Sequence, residues 1–289
     1  MLRPGDAGAS AAFSRDGFAR LPGWLDENEL GSIRREVDRV LAQPLPPGCD
    51  RPHNSLAPLR WNDLVVERVL GSVRRVRVLE EALAAEDLRW ISGYVSVKAP
   101  HSEVLWWHQD WWCWDHPVTY RFGAVQVALL CYLSDTSEDN GALRVLPGSH
   151  RDSVPLHAVL PEAHANEAGD LTPSHDAMKD SPGQVTVTAR AGDAVVVDYR
   201  LLHGTHPNTS AQRRDCVMLT FAPDWRRLPT EIRAHLIRHP AQPPRPEAAT
   251  SVWSRRLLPR FYGRPRDLPL TRVAPSHFEI RGSASAPPR

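Results

Sequence analysis

From Trp90 to Phe221 the chain is cut into short runs rich in β-branched and aromatic residues, separated by Gly, Pro, Asn and Asp turns, and beyond them one short helix is expected near 231–237. The runs fall at 91–97, 104–109, 124–133, 142–146, 184–188, 194–199 and 216–221. That many short strands at close spacing restrict the fold to an all-β sandwich or barrel, and a double-sheet jelly roll fits the count. The expected fold class is therefore mainly β, with helices in front of it. Asp26 followed by Glu29 is an acidic capping box, and Leu30, Ile33, Val37, Val40 and Leu41 recur at helical spacing behind it. A second amphipathic helix is expected over 73–85, carrying Val76, Leu79 and Leu83. The stretch 44–58 reads as a Pro-rich connection, and the polar stretch 152–182 as a long insertion that would serve as a lid over a cavity.

With 289 residues the chain can build one large domain with extensions. The expected division is a domain over 1–225, including the N-terminal helices and the lid, and an Arg/Pro-rich extension over 226–289 that packs on or near it, its last residues disordered. A formal net charge of +1 with scattered basic residues argues against nucleic acid as a partner, and no apolar run is long enough to span a bilayer. The expected partner is a small molecule and the expected compartment the cytoplasm, with the chain a monomer or a dimer. Four cysteines, Cys49, Cys113, Cys131 and Cys216, stand far apart with no CxxC pair, the pattern of reduced buried thiols rather than of disulfides or a zinc cluster.

The chemistry concentrates where tryptophans surround His108-Gln109-Asp110. On an extended strand residues i and i+2 share a face, so His108 and Asp110 can grip one metal ion. A third ligand is then needed from downstream, where the segment 198–205 follows an apolar run and holds His203, with His206 three residues on. Two imidazoles and one carboxylate on one side of an octahedron are the ligand set of non-haem iron(II) oxygenases. The triplet alone decides little, because about half a His-x-Asp match is expected by chance in a chain of this composition. His150-Arg151-Asp152 has the same form, but it follows a turn, and His101-Ser102-Glu103 lies in a polar connector. A histidine held in the core by a neighbouring Asp is the plain alternative for His108 itself.

Several motifs in order carry a more specific signal. His108-x-Asp110 with Trp114, the run from Asn140 through Gly148 to His150, Gly192-Asp193, and His203-Gly204-Thr205 with Asn208, Ser210 and Arg214 resemble the phytanoyl-CoA dioxygenase family, and Asp16-Gly17-Phe18 resembles its N-terminal lead-in. The resemblance covers about residues 13–221. It implies a double-stranded β-helix, or jelly roll, and an oxygenase that uses Fe(II), 2-oxoglutarate and O2. It also implies that His108, Asp110 and His203 are the metal ligands, since the family's cosubstrate arginine lies eleven positions past the second histidine; from His203 that is Arg214, and from His206 it is Val217. Arg214 suits the far carboxylate of a dicarboxylate because its planar fork binds bidentately, whereas a surface pair with Asp215 is the plain alternative. The resemblance places Thr205 and Lys98 with the cosubstrate and Trp114 with the substrate; strand parity turns Gln126 inward as a cosubstrate or substrate contact and, if the strand stays regular, Trp112 and Trp114 to the face of His108 and Asp110. The family's halogenases replace the carboxylate with Ala or Gly, so Asp110 favours hydroxylation of an unactivated C–H bond, with desaturation, ring formation or epimerisation as other outcomes of the same kind of centre, and specialised-metabolite biosynthesis is the expected setting. Other readings are an acyl-CoA or amino-acid hydroxylase of the same family, a non-catalytic jelly-roll metal-binding or sensor protein, and a zinc hydrolase.

Overall fold

The strand-like runs pair into two antiparallel sheets, and side-chain alternation along them decides what each sheet faces. The computed structural model describes residues 6–44, 54–162, 171–244 and 251–281. The strands are β1 (Phe18–Leu21), β2 (Ser55–Leu59), β3 (Arg89–Lys98), β4 (Leu105–His108), β5 (Val127–Tyr132), β6 (Leu143–Val145), β7 (Val185–Val187), β8 (Ala194–Asp198), β9 (His203–Thr205) and β10 (Arg214–Ala222). The larger sheet runs β1-β8-β5-β10-β3-β2 and the smaller β4-β9-β6-β7. This is a jelly-roll sandwich.

Alternation sorts the residues of β10. Val217, Leu219 and Phe221 point to the outer face of the large sheet and join Leu129, Cys131 and Val196 in the main core. That core also takes the apolar stripes of α2 (Glu27–Leu41), α3 (Leu64–Leu70) and α4 (Val73–Leu83). Cys216 points the other way, into a second cluster between the sheets with Tyr132, Leu143, Val145, Val195 and Val197. Arg214 shares the parity of Cys216 and so is carried into the sandwich. The expected Asp26 cap on α2 is formed reciprocally: the Glu29 amide donates to Asp26 Oδ1 at 2.9 Å and the Asp26 amide to Glu29 Oε2 at 3.0 Å.

The connection expected over 44–58 contains strand β2 at its end. Pro58 did not read as strand, but β2 is the edge of its sheet, where a missing N–H is tolerated. The polar N-terminal stretch contains α1 (Asp6–Asp16), which has little amphipathic pattern and is held by packing on α4 and β1. Beyond β10, α5 (Thr230–Leu236), α6 (Val252–Leu257) and the segment to residue 281 follow. Trp225, Ile232, Phe278 and Ile280 pack on Trp111 and Trp114 in one cluster. Backbone bonds fix this, with the Trp114 amide donating to Thr271 O at 3.0 Å and the Thr271 amide to Trp112 O at 2.8 Å. Cys113, Cys131 and Cys216 are free and buried. Cys49, part of the lid including His164, and the terminal residues 282–289 lie outside the described residues. No helix among the described residues is long and apolar enough to cross a membrane.

One buried ion pair ties the loop before β5 to the turn between β8 and β9. Arg200 donates to Asp198 through Nε at 3.0 Å and Nη2 at 2.7 Å, and its remaining hydrogens go to the carbonyls of Thr119, Arg121 and Gly123. Burial pushes the Asp198 carboxyl up, but Arg200 outweighs it and holds the group below the ordinary range. Asp198→Ala would strand the guanidinium in the interior. The expected cost is about 3–5 kcal/mol in urea denaturation, and a loss under ~1 kcal/mol would show that the pair is dispensable.

Candidate metal centre and its two cavities

His108 ends β4 and His203 begins β9, and the two strands pair antiparallel with His108 opposite His203 and Leu105 opposite Thr205. The approach is close because of Gly204. A Cβ there would lie 2.6 Å from the Leu105 carbonyl oxygen and 2.9 Å from that of Trp106, nearer than real Cβ atoms come. The two imidazole centroids are 4.2 Å apart. His108 Nδ1 lies 2.9 Å from Trp106 O and His203 Nδ1 lies 3.0 Å from Leu201 O. Each ring therefore donates its Nδ1 hydrogen to a backbone carbonyl and keeps the Nε2 lone pair for a metal. Asp110, just past β4, sets its carboxylate 3.9 Å from His108 Nε2 and 3.6 Å from His203 Nε2. One ligand atom from each of the three falls within 4.8 Å of the others. The donor set and the fixed tautomers fit an octahedral divalent ion with positions left for exogenous ligands.

The rival histidines are directed elsewhere. His206 is buried with Nε2 2.9 Å from Thr186 Oγ1. His150 is buried against Gly17 while Asp152 is exposed, and His101 sits on the surface with φ +54°. The tie between the two ligand segments is Gln109, whose amide donates to the Arg200 carbonyl.

Two cavities meet at Asp110. The smaller, about 100 Å³, is bounded by Trp106, Leu130, Tyr132, Thr205 and Arg214 together with the three ligands. Arg214 is 4 % exposed, lies over the Tyr132 ring at 5.7 Å, and has no carboxylate within 4.0 Å among the described residues. Its Nε and Thr205 Oγ1 are both buried without a hydrogen-bond partner. Orphaned donors of this kind cost about 1–3 kcal/mol each, so a cation and a hydroxyl left in this state face the place of an acidic ligand. Asp215 is taken instead by Arg213, which points outward and also reaches Asp38. Lys98 is fully buried and opposite Arg214 in the β3–β10 register, but its ammonium is turned to the Glu103 carbonyl and does not border this cavity.

The larger cavity, about 450 Å³, opens on the other side of Asp110. Gln126 is found here and not with Arg214, and its Oε1 accepts from Trp112 Nε1 at 3.0 Å. Trp112 lines this cavity and stacks on His235 with centroids 4.3 Å apart. Trp114 does not border either cavity. It is 1 % exposed and packs on Phe278 at 5.0 Å, because the strand ends at His108 and the regular alternation that would have turned Trp114 inward stops with it. Tyr94, Tyr199 and the C-terminal His235, His239 and Arg272 complete the wall. Tyr199 closes a run expected as a strand, but nothing in the sequence tied the distant C-terminal residues to the metal ligands.

A family model described as phytanoyl-CoA dioxygenase matches residues 13–216. Curated relatives include an ectoine dioxygenase of Nocardia farcinica (strain IFM 10152), 26% identical over 232 residues that cover 73% of this chain and 76% of the relative. Another is an L-proline trans-4-hydroxylase of Streptomyces griseoviridis, 25% identical over 240 residues, 74% of this chain and 85% of the relative. Among solved structures, HygX from Streptomyces hygroscopicus with nickel, 2-oxoglutarate and hygromycin B bound superposes with a TM-score of 0.57 at 21% identity, covering 77% of this chain and 88% of that one. At that identity the superposition speaks for the fold.

Burial first, and then the charges of Arg214 and Arg144, push Lys98 down to about 7 from 10.5. Between those values the unfolded chain holds a proton that the folded chain has released, so stability of the ligand-free protein should rise with pH across that window. In Lys98→Met the contribution should vanish. Urea midpoints at pH 6.5 and 9.5 check this, and equal pH slopes in both proteins would refute it.

Proposed function

The chain belongs to the phytanoyl-CoA dioxygenase family and is an Fe(II)- and 2-oxoglutarate-dependent dioxygenase, and on that premise we propose that it hydroxylates an unactivated C–H bond of a small molecule, in specialised-metabolite biosynthesis, at the His108–Asp110–His203 centre. The observation that carries the assignment of the site is the arrangement at Asp110, with the triad at the junction of two cavities and, in one of them, a buried Arg214 that has no carboxylate within 4.0 Å among the described residues.

In this reading Nε2 of His108, Nε2 of His203 and the Asp110 carboxylate hold the iron, which when bound supplies the O2-dependent decarboxylation of 2-oxoglutarate to succinate and CO2 and, with it, insertion of one oxygen atom into the substrate. The rest falls to the chain's own side chains. Arg214 and Thr205 satisfy their orphaned donors on the far carboxylate of the cosubstrate, fixing its direction toward the triad. Leu130, Tyr132 and Trp106 exclude water from that cavity. Trp112 and Gln126, bonded to each other, place the substrate on the opposite side of Asp110. A cavity of about 450 Å³ is in the size range of drug-sized ligands, which supports a substrate larger than an amino acid. The curated relatives' names favour a second reading, hydroxylation of a small amino-acid-type substrate.

Protein reconstituted with Fe(II) without oxygen and then exposed to O2 and 2-oxoglutarate should release succinate. His108→Ala and Asp110→Ala should abolish that release, and unchanged turnover in both would sink the assignment. L-Proline or ectoine strongly stimulating release would decide for the second reading. Arg214→Met should raise the KM for 2-oxoglutarate about ten- to hundredfold, the loss expected for hydrogen bonds to a charged group.

A further inference from the structure

The wall of the larger cavity facing Asp110 comes from beyond the family match, which ends at residue 216. His235, Arg238 and His239 lie at and just past the end of α5, and Asp267 and Arg272 on the segment that follows α6. Their charges do not balance. Arg238 Nε is 3.1 Å from Asp267 Oδ1, so those two neutralise each other. His235 accepts the Leu268 amide at Nδ1, 3.1 Å, which places its hydrogen on Nε2, and burial lowers its pKa below the ordinary histidine value. His239 likewise accepts the Ala241 amide at Nδ1 and donates from Nε2 to the Tyr94 hydroxyl at 3.0 Å, with burial and then His235 pushing it down to about 4. Both imidazoles are therefore neutral donors. Asp110 is committed to the metal. Arg272 is the cation left over: it is only partly exposed, and among the described residues it has no carboxylate within 4.0 Å. It borders both this cavity and the cleft beside His108 and Gln109.

We propose that Arg272 pairs with a carboxylate of the substrate, so that the C-terminal wall selects monoanionic small molecules and turns their other end to Trp112 and the metal centre. This rests on the larger cavity being the substrate site of the oxygenase. A guanidinium offers a planar fork that matches a carboxylate bidentately, and a cavity wall shields the pair from water more than an open surface would. With one uncompensated positive charge among the described residues the wall suits a monoanion; a phosphate monoester brings nearly two negative charges to that single guanidinium, and a polycationic sugar would meet like charge. The neutral His235 adds a hydrogen-bond donor without adding charge.

The test is binding without turnover. Enzyme loaded with Zn(II) and saturating 2-oxoglutarate is titrated with a panel of arylalkanoic acids such as 4-phenylbutyrate, their matched primary amides and phenyl phosphate, followed by ligand-observed NMR. Acids are expected to bind about ten- to hundredfold more tightly than their amides, and Arg272→Met to erase that preference while keeping its melting temperature. Arg272→Lys, a point charge in place of a fork, should restore only part of it. Equal binding of acids and amides, no binding of any acid, preference for phenyl phosphate, or an acid preference that survives in Arg272→Met would each overturn the proposal. Succinate release without acid preference would strike the Arg272 assignment alone. Acid preference lost in Arg272→Met, in a protein that never releases succinate, would support Arg272 and strike the oxygenase reading.

Discussion

The antiparallel pairing of β4 with β9 is the constraint from which the site follows. It sets His108 opposite His203, and Gly204 lets the two backbones come within a distance that any side chain at that position would prevent. The same short strands supply the carbonyls that fix the imidazole tautomers, each ring bonding to the residue two before it in sequence. Tautomer and register are thus set by one local geometry repeated on two strands. Behind the ligands, the Gln109 amide bonds the segment after β4 to the Arg200 carbonyl just before β9, and the Asp198–Arg200 pair anchors that turn to the loop before β5.

Strand parity then divides the interior. Val217, Leu219 and Phe221 of β10 go to the helices and pack as ordinary apolar core, while the alternate residues from Arg214 go between the sheets, where Arg214 would be a poor choice for stability alone. A buried cation with orphaned hydrogens is retained at a cost of some kcal/mol, and a dicarboxylate is the kind of ligand that recovers it. The Tyr132 ring below Arg214 offsets part of that cost when no ligand is there.

Much of this was legible in the sequence, for reasons that differ by residue. The β-rich runs announced the sandwich because alternation and turn residues are local properties, and the α2 cap was legible because both of its partners lie within four residues. His108, Asp110, His203 and Arg214 came from ordered motifs, and the structure brings the first three together and leaves Arg214 buried nearby. Neither the motif spacing nor strand parity locates Trp114, because the strand ends at His108 and the chain beyond it turns this ring into the core. For Gln126 strand parity says inward but not toward which end of the sandwich, so cosubstrate and substrate contact are equally legible until the structure sets it in the larger cavity. The edge strand β2 was hidden by Pro58, whose cost depends on where a strand lies in its sheet. The helix of the C-terminal wall was legible near 231–237, but its docking on the site was not, since the contacts of Thr271 and Phe278 with Trp114 span more than 150 positions in sequence.

That last gap has a physical basis. The metal and cosubstrate side is built from strands whose register is over-determined: a one-residue slip would turn His203, Arg214 and their apolar neighbours to the wrong face together. The side proposed for the substrate is closed by α5 and an irregular segment that docks on Trp111 and Trp114 through side-chain packing and a few backbone bonds. A residue such as Arg272 can change there without disturbing any sheet register. In the proposed reading, reaction type and substrate choice therefore rest on different kinds of structure in two cavities that share Leu56, Asp110 and Met218, and Trp111 and Trp114 serve as the packed surface on which the C-terminal wall is mounted.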